Sequence, residues 1–269
     1  MRSGPFLLGL VGAVALGGAV QTAVAGPAAG TGTPTTVTGA MPSATGARST
    51  ASRSVASSAK ALVTSAVAAA KAQKSVHFVE WASAGKQSVS VIGDVSPTTG
   101  QQTITVRDGS SVGHVEGLFA EGQVYFRGDA YGLGSYLGMP TALARKYVNR
   151  WIAFSKSDSG FAQTAKQFTV AGPLSEIDLT GKLSRLTTTT IDATPVMVVK
   201  GRTNALSSKG RSGSGTLYVT SDGTRLPVRF TGTGRETAGS STGRVDFSRW
   251  GEPVNVKPPA GAIPASKVA

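Results

Sequence analysis

The side chains able to do chemistry in this chain are few and scattered. Histidine occurs only at His77 and His114, and cysteine does not occur at all. Both histidines fall in segments that alternate like strands, and neither has Cys, Asp or Glu neighbours arranged as zinc ligands. No G-x-S-x-G elbow sets up a serine as a nucleophile beside a histidine and an acid. The glycine-rich patterns near residues 213–234 lack the lysine and the strand-to-helix setting of a phosphate loop. Asp94, Asp108 and Asp222 are assigned to turns rather than to acid or base work. No cofactor, no metal and no covalent chemistry is expected.

What remains is apolar. Leu62, Val63, Val67, Phe78, Phe119, Phe126, Leu137, Tyr147, Trp151, Phe161 and Val198 occupy positions that would face a common interior, and they are the candidate lining of a ligand cavity. Trp151 directly follows a run of short helical pieces, which suits a cavity mouth; Trp81 and Trp250 read as core. Tyr131, Gly132, Leu133, Gly134 and Tyr136 combine large side chains with a bendable backbone, the composition of a lid over an entrance.

These residues must be held by one long helix and many short strands. From Val55 to Lys74 apolar residues recur every three or four positions, without Gly or Pro, and Lys71 and Lys74 suit the negative end of the helix dipole. After Ser75 the period becomes two. Val76, Phe78 and Glu80 alternate with His77, Val79 and Trp81, and strands continue through Gly128 between turns such as Asp108-Gly109. Short helical segments occupy the chain between Tyr131 and Leu179, one opening at Pro140 and one capped by Asp158. Strands resume from Leu183 to Phe247, with Pro227 marking an edge or a bulge. The frequent strand glycines suggest bends that enclose volume.

Composition limits the setting. In 269 residues there are 27 Lys and Arg against 14 Asp and Glu, a net charge of +13. The cations are spread, the closest grouping being Arg145, Lys146 and Arg150, and no recognition motif accompanies them. Nucleic acid is therefore not an expected partner; an anionic membrane or envelope surface is a possible one. Residues 1–25 carry Arg2, an apolar run from Phe6 to Val20 and the small-x-small pattern Ala23-Val24-Ala25, which reads as a cleaved signal peptide. The chain is expected to be secreted or to sit in the cell envelope as a monomer. Residues 26–53 read as a flexible tether, 54–259 as a single domain and 260–269 as a mobile tail.

The C-terminal runs GTLYVTSDGTRLPVRF and GRVDFSRWGEPVNVKPP, with echoes in GQVYFRGDA, in Asn149-Arg150-Trp151-Ile152 and in VVKGRT, resemble the actinobacterial LppX/LprG group of cell-envelope lipoproteins, which share the LolA-like fold. The resemblance implies an α+β fold, a strongly curved antiparallel half-barrel wrapped around helices, with an apolar cavity for a lipid or acylated glycolipid. The group carries a lipobox cysteine at the mature terminus. Here Gly26 stands in that place, so no lipid anchor is expected. The competing expectation is a structural or protein-interaction module of the envelope, with a filled core and no ligand.

Overall fold

The structure, a computed structural model, describes residues 46–185, 188–203, 213–236 and 239–268, with the backbone alone given for 46–57, 185 and 235–236. The expected signal peptide and most of the expected tether lie outside these residues.

The chain begins with helix α1 (Gly46–Lys71) and continues as a meander: β1 (Val76–Ala84), β2 (Gln87–Val95), β3 (Gly100–Asp108), β4 (Ser111–Ala120) and β5 (Gln123–Gly128). Helices α2 (Ala130–Leu137) and α3 (Thr141–Lys146), strand β6 (Ile152–Phe154), and helices α4 (Phe161–Gln167) and α5 (Ala171–Leu174) follow. Strands β7 (Thr180–Arg185), β8 (Thr189–Ile191), β9 (Thr194–Thr203), β10 (Gly213–Thr220), β11 (Pro227–Glu236) and β12 (Gly239–Ser248) rebuild a sheet, and β13 (Ile263–Pro264) ends it.

Neighbours in the sheet run β13-β6-β5-β4-β3-β2-β1-β12-β11-β10-β9-β7, with β8 on β9. The two halves of the chain join where β1 pairs with β12, His77 opposite Ser248 through Ala84 opposite Ser241. The expected strongly curved antiparallel half-barrel does not form. The sheet is neither closed nor strongly curled, its end strands being unpaired with each other, and it is mixed because β13 joins β6 in parallel.

The reason lies in the glycines. A Cβ built on Gly93 would stand 2.5 Å from the Phe78 ring, and one on Gly117 would stand 2.4 Å from the Phe168 ring. These glycines are sockets for aromatic side chains and not hinges that roll the sheet. The helices also pack on different parts of the sheet: α1 meets β7 and β11, and α2 meets β4 and its neighbours. Strand alternation gives the core face its apolar residues, among them Val76, Phe78, Ala82, Val91, Ile104, Val115, Phe230 and Val245.

Other boundaries differ from the sequence reading. Helix α1 starts at Gly46, ahead of the apolar stripe, because a helix can extend where its period carries no core-facing signal. The segment read as a lid is a regular helix: the Asp129 side chain accepts from the Gly132 amide, and Gly138 closes the C-terminus in the left-handed conformation. Gly160, not Asp158, is the N-cap of α4, since the Asp158 carboxylate accepts from the Ser155 amide instead. Pro227 does produce a bulge, shifting the register between Tyr218 and Val219. Residues 260–269, read as a mobile tail, include β13, where Ile263 pairs with Ile152.

Helix α2 reaches the sheet through two glycines. A Cβ on Gly132 would lie 2.5 Å from the His114 carbonyl oxygen, and one on Gly113 would lie 2.4 Å from the Gly132 nitrogen, whereas Gly134 meets nothing nearer than 3.6 Å. Gly132→Ala and Gly113→Ala should each destabilise by about 1–3 kcal/mol through overpacking against backbone that has nowhere to move. Gly134→Ala in the same helix should stabilise by about 0.5–1 kcal/mol. Denaturant unfolding of the three variants checks the contrast.

Candidate functional site

The core face is not wholly apolar: Gln102 of β3 and Ser241 of β12 are buried on it, and β1 places a carboxylic acid there. Glu80 follows Phe78 by two residues, sits between Val91 of β2 and Val245 of β12, and therefore points into the interior with its neighbours. It is 5 % exposed, as is Glu176, which follows α5. One carboxyl oxygen of each, Oε1 of Glu80 and Oε2 of Glu176, is buried without a hydrogen-bond partner among the described residues. Leaving such an acceptor unmatched costs about 1–3 kcal/mol, and more if it is charged.

Glu80 faces a small internal gap of about 10 Å³, walled by Phe78, Val91, Gln102, Tyr136, Gln167 and Pro173. That is room for one water and not for an acyl chain. The polar walls have their own partners or burial: Gln102 donates to the Gln167 carbonyl at 2.7 Å, tying β3 to the end of α4. Tyr136, half-buried, carries its phenol hydroxyl from α2. Burial, and after it the charge of Glu80, pushes that hydroxyl above the ordinary phenol range.

Burial raises Glu80 well above the ordinary carboxylate range. Glu176 is raised by burial first and by the charge of Glu80 second, which makes the two acids electrostatic neighbours. The site is thus a protonatable acid pair with an adjoining phenol, set in an apolar layer. It can accept or donate hydrogen bonds; among the described residues no group of three or more His, Cys, Asp or Glu is placed to hold a metal ion.

The residues expected to line a cavity divide into two sets. Leu62, Phe78, Phe126, Leu137 and Phe161 belong to the buried core, with Val63, Val67 and Phe119 packed against it. The lid candidates join this set in part, Leu133 being fully buried and Tyr136 meeting Phe126 edge to face at 6.2 Å; Tyr131 and Gly134 stay half-exposed.

Tyr147, Trp151 and Val198 are placed elsewhere. The Tyr147 hydroxyl donates to the Lys267 carbonyl at 3.4 Å, and the Trp151 ring lies under the Arg127 guanidinium at 4.8 Å. Val198 alternates with Met197 and Val199, which point to the core, so it occupies the opposite face of β9. Trp81, read as core, is 44 % exposed on the outer face of β1, beside Val79 and Ile92. Trp250 is partly buried and stacks on Phe247 at 5.7 Å.

The titratable residues set aside earlier make contacts with their neighbours. Asp94 lies within β2 rather than in a turn, 2.7 Å from His77 Nδ1 and 3.0 Å from Arg249 Nη2. Burial alone would raise Asp94, but the hydrogen bonds from His77 and Gln101 and the charges of His77 and Arg249 outweigh it and hold the carboxyl low. His114 meets Thr105 Oγ1 at 3.3 Å, and Asp222 accepts from the Thr224 amide at 3.0 Å, as a turn aspartate does. Glu80 was visible in the alternation that placed it on the Phe78 face; Glu176 had no such signal.

No family model matches the sequence, and no curated protein matches it. Among solved structures, lipoprotein LppX of Mycobacterium tuberculosis is similar at 16 % identity and a TM-score of 0.48, over 75 % of this chain and 99 % of that one. LprF from Mycobacterium bovis is similar at 17 % identity and a TM-score of 0.49, over 76 % of this chain and 98 % of that one. The MucA/MucB complex of Pseudomonas aeruginosa is similar at 12 % identity and a TM-score of 0.33, over 72 % and 56 %. Likenesses at these scores carry no statement about this chain's ligand.

The acid pair makes stability depend on pH with a definite sign. A carboxyl raised on folding binds more protons in the folded state, so its contribution is fully present below the ordinary carboxylate range and is lost as pH rises toward the raised folded value. The double variant Glu80→Gln with Glu176→Gln should flatten that decline and melt higher than the wild type at alkaline pH. Thermal melts of both proteins across pH check it; parallel curves would contradict it.

Proposed function

We propose that the protein binds a lipid or acylated glycolipid without covalent chemistry, the apolar part lying between the helices and the core face and a hydrogen-bonding group of the ligand meeting Glu80. One observation carries this reading. Glu80 offers an unmatched carboxyl oxygen to a gap walled by apolar and polar side chains in the core, and such an unmatched acceptor suits a donor brought from outside.

The cover over the gap is made of short pieces, α2, α4 and α5, which separate from a sheet more readily than one long helix. Entry requires them to part from β3–β5, exposing Phe126, Leu137 and Phe168 to the ligand. Acyl burial then contributes about 0.8 kcal/mol for each methylene removed from water. The protein acts outside the cytoplasmic membrane as one domain from about residue 54 to 259; limited proteolysis should give one resistant fragment rather than two.

The competing reading is an interaction module with a filled core. The small volume of the gap favours it. Native mass spectrometry and lipid extraction of protein made in an actinobacterial host separate the two. The expected result is an extractable bound mass whose occupancy falls in Glu80→Leu, a variant that removes the acceptor and keeps the apolar surroundings. Protein that repeatedly emerges lipid-free and binds no acylated probe belongs to the competing class.

A further inference from the structure

One edge of the molecule concentrates cations on aromatic rings. From Ala130 to Ser157 the sequence holds Arg145, Lys146, Arg150 and Lys156 and no acidic residue. The structure gathers three of them around α3 and the start of β6, where Arg145, Lys146 and Arg150 are all exposed. Lys146 Nζ and Arg150 Cζ lie 5.4 and 5.8 Å from the centroid of the Tyr147 ring. The hydroxyl of that ring donates to the Lys267 carbonyl, which brings the exposed Lys267 alongside. Arg127 covers Trp151 and is also paired with Glu116 at 2.7 Å. Among the described residues, neither Arg145 nor Arg150 forms an ion pair with a carboxylate.

The same segment leaves Met139, Leu143 and Val148 partly exposed. Exposed cations, of which Arg145 and Arg150 have no carboxylate partner among the described residues, beside the partly exposed Trp151 and flanking aliphatic side chains form the combination that sits at the level of lipid headgroups, where phosphate meets the cations and the apolar side chains meet the acyl boundary. A nucleic-acid groove would ask for a longer recognition element than the six residues of α3. We infer that the α3–β6 edge is a docking face for an anionic lipid bilayer. The inference stands on charge and ring geometry and is independent of any ligand held by Glu80.

The test is flotation of the purified chain with phosphatidylcholine vesicles and with phosphatidylcholine vesicles containing phosphatidylglycerol. The readout is the ratio of anionic to neutral binding, so that any apolar segment acting equally on both cancels. The wild type should prefer anionic vesicles, and the preference should fall as salt rises. Arg145→Glu with Arg150→Glu should lower that preference by about tenfold or more, whereas Lys200→Glu with Arg202→Glu, which changes net charge equally on β9, should lower it by less than about twofold. Arg145→Gln with Arg150→Gln, checked for an unchanged melting temperature, should give an intermediate loss. Equal losses in the two charge-reversed proteins, or no anionic preference in the wild type, would overturn the docking face.

Discussion

A carboxylic acid in the middle of an apolar strand face is the constraint on which the rest of this structure turns. Alternation along β1 sends Val76, Phe78, Glu80 and Ala82 to the same side, so Glu80 cannot leave the interior without moving Phe78 out with it. The pairing of β1 with both β2 and β12 fixes that register at the seam where the halves of the sheet meet. The acid is therefore held in place by the sheet's own hydrogen bonds. Its surroundings, Tyr136 from α2, Gln102 from β3 and the charge-linked Glu176 after α5, make a polar island beneath the short helices.

Around the island, packing is close. Phe126 sits edge to face with Phe154 at 5.8 Å and with Phe168 at 5.6 Å, and glycines on β2 and β4 receive the rings of Phe78 and Phe168. Glycine in these strands gives up side-chain area and strand propensity so that neighbouring aromatics can approach the backbone. The same device brings α2 onto β4. A sheet built this way gains its interior from fitted rings on one face, which accounts for its staying open.

Much of this was legible in the sequence. The two-residue period from Val76 onward gave the strands of the meander, Asp108-Gly109 and Asp222-Gly223 gave their turns, and Pro227 gave its bulge. The same period had Glu80 on the Phe78 face and Trp81 on the other, and hydropathy alone misassigned Trp81 to the core. Strand glycines were ambiguous between bends and sockets, because the aromatic that fills a socket is distant in sequence: Phe168 for Gly117. The pairing of Ile263 with Ile152 likewise depends on a contact between distant segments, of which a two-residue strand carries no local trace. For the candidate lining, apolar type found buried positions for most residues, Tyr147 included, but could not tell that Tyr147 is buried outside the main core cluster and that Trp151 is only partly buried, each ring lying against cations at the edge.

The claim at the centre of this account is that Glu80 is kept in the interior for a ligand's polar group. A crystal structure of protein carrying its co-purified or added acylated ligand tests it most directly. The account predicts a ligand donor within hydrogen-bonding distance of Glu80 Oε1, with the acyl portion among Phe78, Phe126 and Leu137. A bound ligand lying elsewhere, with Glu80 still enclosed and unchanged beneath α2, would contradict it.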